Sequence, residues 1–185
     1  MLRRGHNDRV VDLDRLAQAA RHGDDVAVGE LVRATQPVVW RTCRAMGSGF
    51  DPDDLVQEVY LRALRNLASF TGDGGFVAWI LTIARRVCAD EVRRVQRQRR
   101  LVERIGVWGA ASTDAPAAAH GTDHLDALLD AIDPARREAF VLTQMVGLSY
   151  DEAAEVCQCP IGTIRSRVAR ARADLVGLVE RSQAR

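Results

Sequence analysis

Between Ile161 and Ala173 the sequence places four arginines, Arg165, Arg167, Arg170 and Arg172, and no acid. A second basic run, Arg85 to Arg104, holds eight arginines against three acids, Asp90, Glu91 and Glu103. A third stretch inverts the sign: Asp51 to Glu58 carries four acids and no base. Guanidinium groups at this density bind polyanions through planar, bidentate hydrogen bonds to phosphates and base edges. The net charge is only +1, so the charge is sorted into patches, two suited to a polyanion and one to a basic partner. All the basic residues are arginine, a bias of a GC-rich genome first and of guanidinium chemistry second.

Catalysis has no comparable signature. No glycine-rich phosphate loop follows a strand pattern, and no Cys or Ser has a nearby His as base. His6, His22, His120 and His124 fall in terminal, turn or linker text. Cys157 and Cys159 lack the two-residue spacing of common zinc and redox pairs. Three of the four cysteines sit in apolar helical patterns, where they act as small hydrophobes. No metal or other cofactor is expected, and the chain reads as a recognition protein rather than an enzyme.

The elements that must hold the arginines are legible. Ser149 and Glu152 spell a capping box, so a helix starts at Tyr150 and ends near Cys157. Gln158 and Cys159 turn the chain, Gln158 standing where glycine is commoner, and Pro160 supplies the first position of a second helix. On that helix Ile161, Ile164, Val168, Ala171 and Leu175 share one stripe, which must face a core. Gly162, Ser166, Ala169 and Ala173 form the opposite stripe, flanked by Arg165 and Arg170. Small residues between arginines let a helix approach a groove closely. The pair therefore reads as a helix-turn-helix whose second helix fits a DNA major groove.

Upstream, Asp14 to Met46 repeats apolar residues at helical spacing, with interruptions expected near Gly23 and Pro37. Asp51 is a natural N-cap, Pro52 fits the first helical position, and the helix runs through Leu55, Val59 and Leu64 towards Phe70. Thr71 to Gly75 is a loop; Phe76 opens another helix with an apolar face of Phe76, Trp79, Ile80, Ile83 and Val87. Trp79 on that stripe reads as core, with an exposed stacking platform as the other use. Ala110 to Asp123 has no large apolar residue and no period, the composition of a linker. No apolar run reaches the roughly 18 residues of a membrane span, and the amino terminus lacks a signal-peptide core. A cytoplasmic protein is expected.

On these residues the chain resembles the extracytoplasmic-function (ECF) sigma factors, promoter-recognition subunits of bacterial RNA polymerase. "LSYDEAAEVCQCPIGTIRSRVARARADL" is similar to region four, which reads the promoter −35 element. "DPDDLVQEVYLRALRNLASF" followed by "FVAWILTIARRVCADEVRR" is similar to region two, which binds the polymerase clamp and opens and reads the −10 element. The resemblance implies an all-α fold of two small helical domains: region two at 1–96, a flexible linker at 97–124, and the region four helix-turn-helix at 125–185. It implies Arg165, Ser166 and Ala169 as −35 base-reading positions, with Thr163, Arg167 and Arg170 on phosphates. Phe70, Thr71, Gly72 and Asp73 would belong to a pocket for a flipped −10 base, running to Gly75. Arg85, Arg86, Arg93, Arg94 and Arg97 would hold −10 phosphates and unpaired bases.

Asp53, Asp54, Gln57 and Glu58 would meet the clamp helices of the polymerase's largest subunit. The partners implied are core RNA polymerase, through its clamp and flap, promoter DNA, and an anti-sigma factor of the kind common in the family. Residues 101–123 would thread past the polymerase active site. The family usually has Asn shortly before its Asp on the helix after the loop; here Arg86 and Val87 stand there, so −10 base preference is not carried over. Two other readings compete. One is a free-standing helix-turn-helix regulator, which would dimerise on palindromic half-sites. The other is a redox sensor built on Cys157 and Cys159.

Overall fold

A computed structural model describes residues 12–47, 49–72, 74–105 and 124–183, all helices and turns, with no strand among them. Helix α1 (Leu13–Arg21) is capped by Asp12, whose carboxylate accepts from the Arg15 amide at 3.0 Å. Helix α2 (Asp25–Met46) starts on Asp24, which accepts from the Val26 and Ala27 amides. It then runs unbroken through Pro37, where an interruption was expected. Pro37 and Arg33, one turn back, both lie on the exposed face. The carbonyl that loses its partner can therefore turn to water. On the buried side, the Thr35 hydroxyl donates to the Leu31 carbonyl at 2.7 Å and meets the Tyr60 hydroxyl at 2.9 Å. Desolvation raises the Tyr60 pKa, against the opposing effect of its Thr35 hydrogen bond.

Helix α3 (Pro52–Arg65) begins as the sequence predicts, with the Asp51 side chain accepting from the Asp53 amide and Pro52 in the first turn. Leu55, Val56, Val59 and Ala63 are buried, whereas Leu61 and Leu64 are exposed. Leu64 lies off the buried stripe, which at about 100° per residue passes to Ala63 instead. A single 3-10 turn, Leu67–Ser69, leads into the loop before α4 (Phe76–Ile105). The first amide of α4 is met from a distance: Phe76 N donates to the Asp14 carboxylate of α1 at 2.7 Å. Helix α4 continues past residue 96, the expected domain boundary, to Ile105. The linker reading for Ala110 to Asp123 lies outside the described residues.

The second half comprises α5 (His124–Asp130), α6 (Pro134–Phe140), α7 (Tyr150–Cys157) and α8 (Ile161–Gln183). A π-helical turn, Val141–Met145, extends α6. The two halves do not stand apart. One continuous buried cluster takes Leu31, Val59, Ile80 and Val87 from the first half and Ala139, Leu142, Val156, Ile164 and Val168 from the second. A smaller cluster places Ala45 of α2 among Leu129, Ile132, Val141 and Ala171. Each half alone would bury a modest core, and the shared one removes further apolar surface from water.

Candidate functional site

The helix-turn-helix forms as its sequence dictates. The Ser149 hydroxyl accepts from the Glu152 amide at 3.2 Å while the Glu152 carboxylate accepts from the Ser149 amide at 2.7 Å, closing the capping box. Gln158 ends α7 in the left-handed conformation at φ 54°, a backbone state that favours glycine. Pro160 sits just before α8 rather than inside it: its carbonyl accepts the Thr163 and Ile164 amides, the role of an N-cap. Ile164, Val168 and Ala171 are fully buried, as the apolar stripe requires.

The other face of α8 is open. Gly162, Arg165, Ser166, Ala169, Arg170 and Ala173 are all exposed, and the Ser166 hydroxyl folds back to the Thr163 carbonyl at 2.9 Å. Thr163 is half-buried. Arg167 turns inward, with Nη1 3.8 Å from Cys159 Sγ and its charge acting on Glu138 and Cys157. Arg172 braces α8 against the π-helical turn, donating to Gln144 at 2.6 Å. The face thus offers two exposed guanidiniums, Arg165 and Arg170, around small side chains.

In the first half, Phe70 is 1 % exposed and packs edge-on against Phe76 at 5.4 Å, with Trp79 at 5.6 Å from Phe70. Its ring is core, so an aromatic at the loop's edge faces inward rather than towards a ligand. Trp79, half-buried in the same cluster, is core as its stripe implied. Thr71 is exposed and Gly72 half-buried; Asp73 lies outside the described residues. Gly72, Gly74 and Gly75 all have φ between 79° and 95°, the region where a Cβ is strained.

Of the arginines on α4, Arg86 and Arg97 are exposed. Arg93 donates to Asp90 at 2.7 Å and Arg94 to Glu91 at 2.9 Å, pairs within one helical turn. Hydrogen bonds from Arg62 and then Arg93 hold the Asp90 carboxyl below its usual range, and Arg94 does the same for Glu91. Arg85 differs. Its guanidinium pairs with Glu138 of α6, at side-chain exposures of 24 % and 18 %. Burial raises the Glu138 carboxyl against the pull of Arg85, and burial followed by the Glu138 charge pushes the Cys157 thiol up to about 12.

On α3, Asp53, Asp54 and Gln57 are exposed and Glu58 half-exposed. Asp53 accepts from the Trp40 indole at 2.9 Å, and Glu58 from Arg62 at 2.6 Å. The acidic face is therefore anchored at both ends and open in the middle. Three groups of side chains, on α3, on α4 with its loop, and on α8, thus occupy separate positions on one scaffold.

Comparison with known proteins meets this geometry at each half. Sigma-70 region 2 matches residues 31–98, and Sigma-70 region 4 matches residues 123–175. The ECF RNA polymerase sigma factor SigC of Mycobacterium tuberculosis is 39 % identical over 168 residues, covering 89 % of this chain and 90 % of its own. The chain belongs to the ECF RNA polymerase sigma factors.

A second ECF sigma factor, EcfG of Rhodopseudomonas palustris, is 38 % identical over 138 residues, 72 % of this chain and 74 % of its own. Among solved structures, CnrH in complex with the cytosolic domain of CnrY superposes with a TM-score of 0.68 at 28 % identity, covering 91 % of this chain and 98 % of CnrH. RpoE of Bartonella quintana, solved with the anti-sigma factor NepR, gives 0.69 at 27 % identity over 83 % of this chain and 96 % of RpoE. As an ECF sigma factor, the chain carries region 2 in α2 to α4 and region 4 in α5 to α8. The free-standing regulator is not favoured. Sequence reasoning missed the pairing between the halves, Arg85 with Glu138 and Arg44 with Asp126, because residues so far apart in the chain leave no local pattern.

Proposed function

We propose that this sigma factor, itself without catalytic activity, brings core polymerase to promoters by presenting three separate surfaces. The observation that carries the reading is the outward face of α8, where Arg165, Ser166, Ala169 and Arg170 are exposed while Ile164 and Val168 anchor the helix. Arg165 and Arg170 flank a row of small side chains, so the helix axis approaches base edges and a guanidinium reaches guanine O6 and N7 in the −35 major groove. Thr163, in the first turn of α8, and Arg167 and Arg170 further along it contact phosphates of the flanking backbone.

The −10 reading rests on Thr71, Gly72 and Asp73 as the rim of a base pocket, with Phe70 beneath it as support. Extruding a base costs a few kcal/mol, which close backbone contact must offset. Arg85, Arg86, Arg93, Arg94 and Arg97 supply the phosphate and stacking contacts to the unpaired strand. Asp53, Asp54, Gln57 and Glu58 dock on the basic clamp helices of the largest polymerase subunit, and region 4 meets the flap. An anti-sigma factor is the regulatory partner proposed, on the likeness to RpoE, solved with the anti-sigma factor NepR. The protein acts in the cytoplasm; no helix among the described residues is long and apolar enough to cross a membrane.

Run-off transcription with purified core polymerase over a pool of promoters tests the reading. Discrete start sites that appear only with this chain support it. Transcription with the same start sites in its absence overturns it.

A further inference from the structure

Resting on that reading of the glycine-containing loop as part of the −10 surface, the short helix α1 gains a part in it. Gly72, Gly74 and Gly75, at φ of 95°, 80° and 79°, give the loop little conformational preference of its own. Something else must set its shape. Gly75 also stands where the capping residue of α4 belongs. Its carbonyl accepts the Trp79 amide at 3.2 Å, but it has no side chain to meet the first amides of the helix. Phe76 is buried, so its amide requires a partner from the protein.

Asp14, in the first turn of α1, supplies that partner, accepting from Phe76 N at 2.7 Å. One turn further along α1, Gln18 lies against the earlier part of the loop. Its amide nitrogen is 3.7 Å from the point where a side chain on Gly72 would begin. The Gln18 oxygen accepts from Arg21 at 3.2 Å, which leaves the nitrogen towards the loop. Leu13, Leu16 and Ala17 of the same helix pack into the cluster that holds Phe70 and Phe76, so Asp14 and Gln18 ride on a seated element.

We propose that α1 is the template of the −10 loop, with Asp14 and Gln18 as positioning residues that hold it in its base-accepting shape before DNA arrives. Asp14 acts through a backbone amide and Gln18 through its contact at Gly72, so neither reads a base. A loop shaped in advance loses little conformational freedom on binding, and the advantage falls on the base that fits the shape. Loss of the template therefore lowers base discrimination at −10 and leaves −35 recognition by α8 as it was.

The test compares Asp14→Ala with Asp14→Asn, which keeps an oxygen acceptor, in the full chain. Hydrogen exchange at the Phe76 amide should quicken about tenfold in Asp14→Ala and return towards the wild-type rate in Asp14→Asn. Run-off with core polymerase then compares a promoter from the pool with its single-base variants, as a ratio that does not depend on the amount of folded protein. Asp14→Ala should lower the −10 ratio about threefold or more, Asp14→Asn should restore it, and the −35 ratio should not move. An unmoved −10 ratio overturns the proposal, as does an equal loss at −35 or a failure of Asp14→Asn to restore. Should Asp14→Ala lose helicity, Gln18→Ala must lower the −10 ratio and spare the −35 ratio; no change overturns the proposal. Thr71→Ala, at an exposed position of the loop, separates this result from the reading beneath it. A −10 ratio moved by Thr71→Ala and unmoved by Asp14→Ala defeats only the template; one unmoved by both defeats the −10 loop as well.

Discussion

Arg62 of α3 and Asp90 of α4 face each other across the groove between their helices, Nη1 to Oδ2 at 2.8 Å. Arg62 also donates to Glu58 at 2.6 Å, and Asp90 accepts from Arg93 at 2.7 Å. A ladder of alternating charge thus runs from the proposed docking face to the proposed −10 face. Each rung is partly solvated and worth under about 1 kcal/mol. Its value is in orienting Arg93.

The ladder gives a pH dependence with a definite sign. Asp90 has a depressed carboxyl pKa, chiefly through the Arg62 hydrogen bond. Its contribution is therefore present above the ordinary aspartate range and is lost as pH falls through the lowered folded value. Carbon-detected NMR titration should find the Asp90 midpoint below that of a solvated aspartate. Arg62→Gln should move it upward; an unmoved midpoint would show that the rung is not formed in solution.

Charge reversal at Asp54 and Glu58 should abolish capture by core polymerase in a pull-down while far-UV circular dichroism stays unchanged. Asp54 is exposed and Glu58 half-exposed, so neither reversal buries a charge. Undiminished capture would make the acidic face a bystander.

Arg165→Ala should cost about 1–3 kcal/mol of discrimination between a cognate −35 sequence and a single-base variant. Competition binding with the two duplexes reads the difference. Equal weakening on both would assign Arg165 to a phosphate.

The turn of the helix-turn-helix carries a measurable cost. Gln158 is the one non-glycine with positive φ among the described residues. Gln158→Gly should raise stability to urea by up to about 1 kcal/mol, whereas Ser149→Ala, which removes a cap, should lower it by about 1 kcal/mol. Denaturation midpoints at constant slope measure both; a destabilised glycine variant would contradict the strain.

Thiol reactivity separates a structural role from a redox one. Cys43, Cys88 and Cys157 are buried, and Cys159 is half-exposed. Burial and the neighbouring Glu138 push Cys157 up to about 12, so its thiolate is scarce at neutral pH. Iodoacetamide should label Cys159 first and leave the others unreacted in the folded chain. Cys159→Ser should bind DNA like the wild type under oxidising and reducing conditions alike; oxidation-dependent binding lost in that variant would revive a redox sensor.

What the sequence made legible was local. Asp51 and Pro52 mark the start of α3, Ser149 and Glu152 that of α7, and the stripe Ile164, Val168, Ala171 the buried side of α8, because caps and periodicity act within a few residues. Pro37 was misjudged as a break, since whether a helix survives a proline depends on which face it occupies, a tertiary fact. Phe70 looked like the rim of a loop and is core, because the partners that bury it come from the following helix. The docking of one half on the other left no trace in the sequence: Arg85 and Glu138, or Arg44 and Asp126, become neighbours only once both bundles exist.

Phe70 and Phe76 stand at the two ends of the glycine-rich loop, with their ring centroids 5.4 Å apart. The segment between them is consequently pinned at both feet to the same hydrophobic post. A substitution at exposed Thr71 can therefore alter what the proposed −10 loop reads without disturbing the helices that carry it. On the proposed −10 reading, promoter preference can then drift in evolution while the scaffold is kept, and grafting the whole segment with its glycines from another member should transfer its taste for a base.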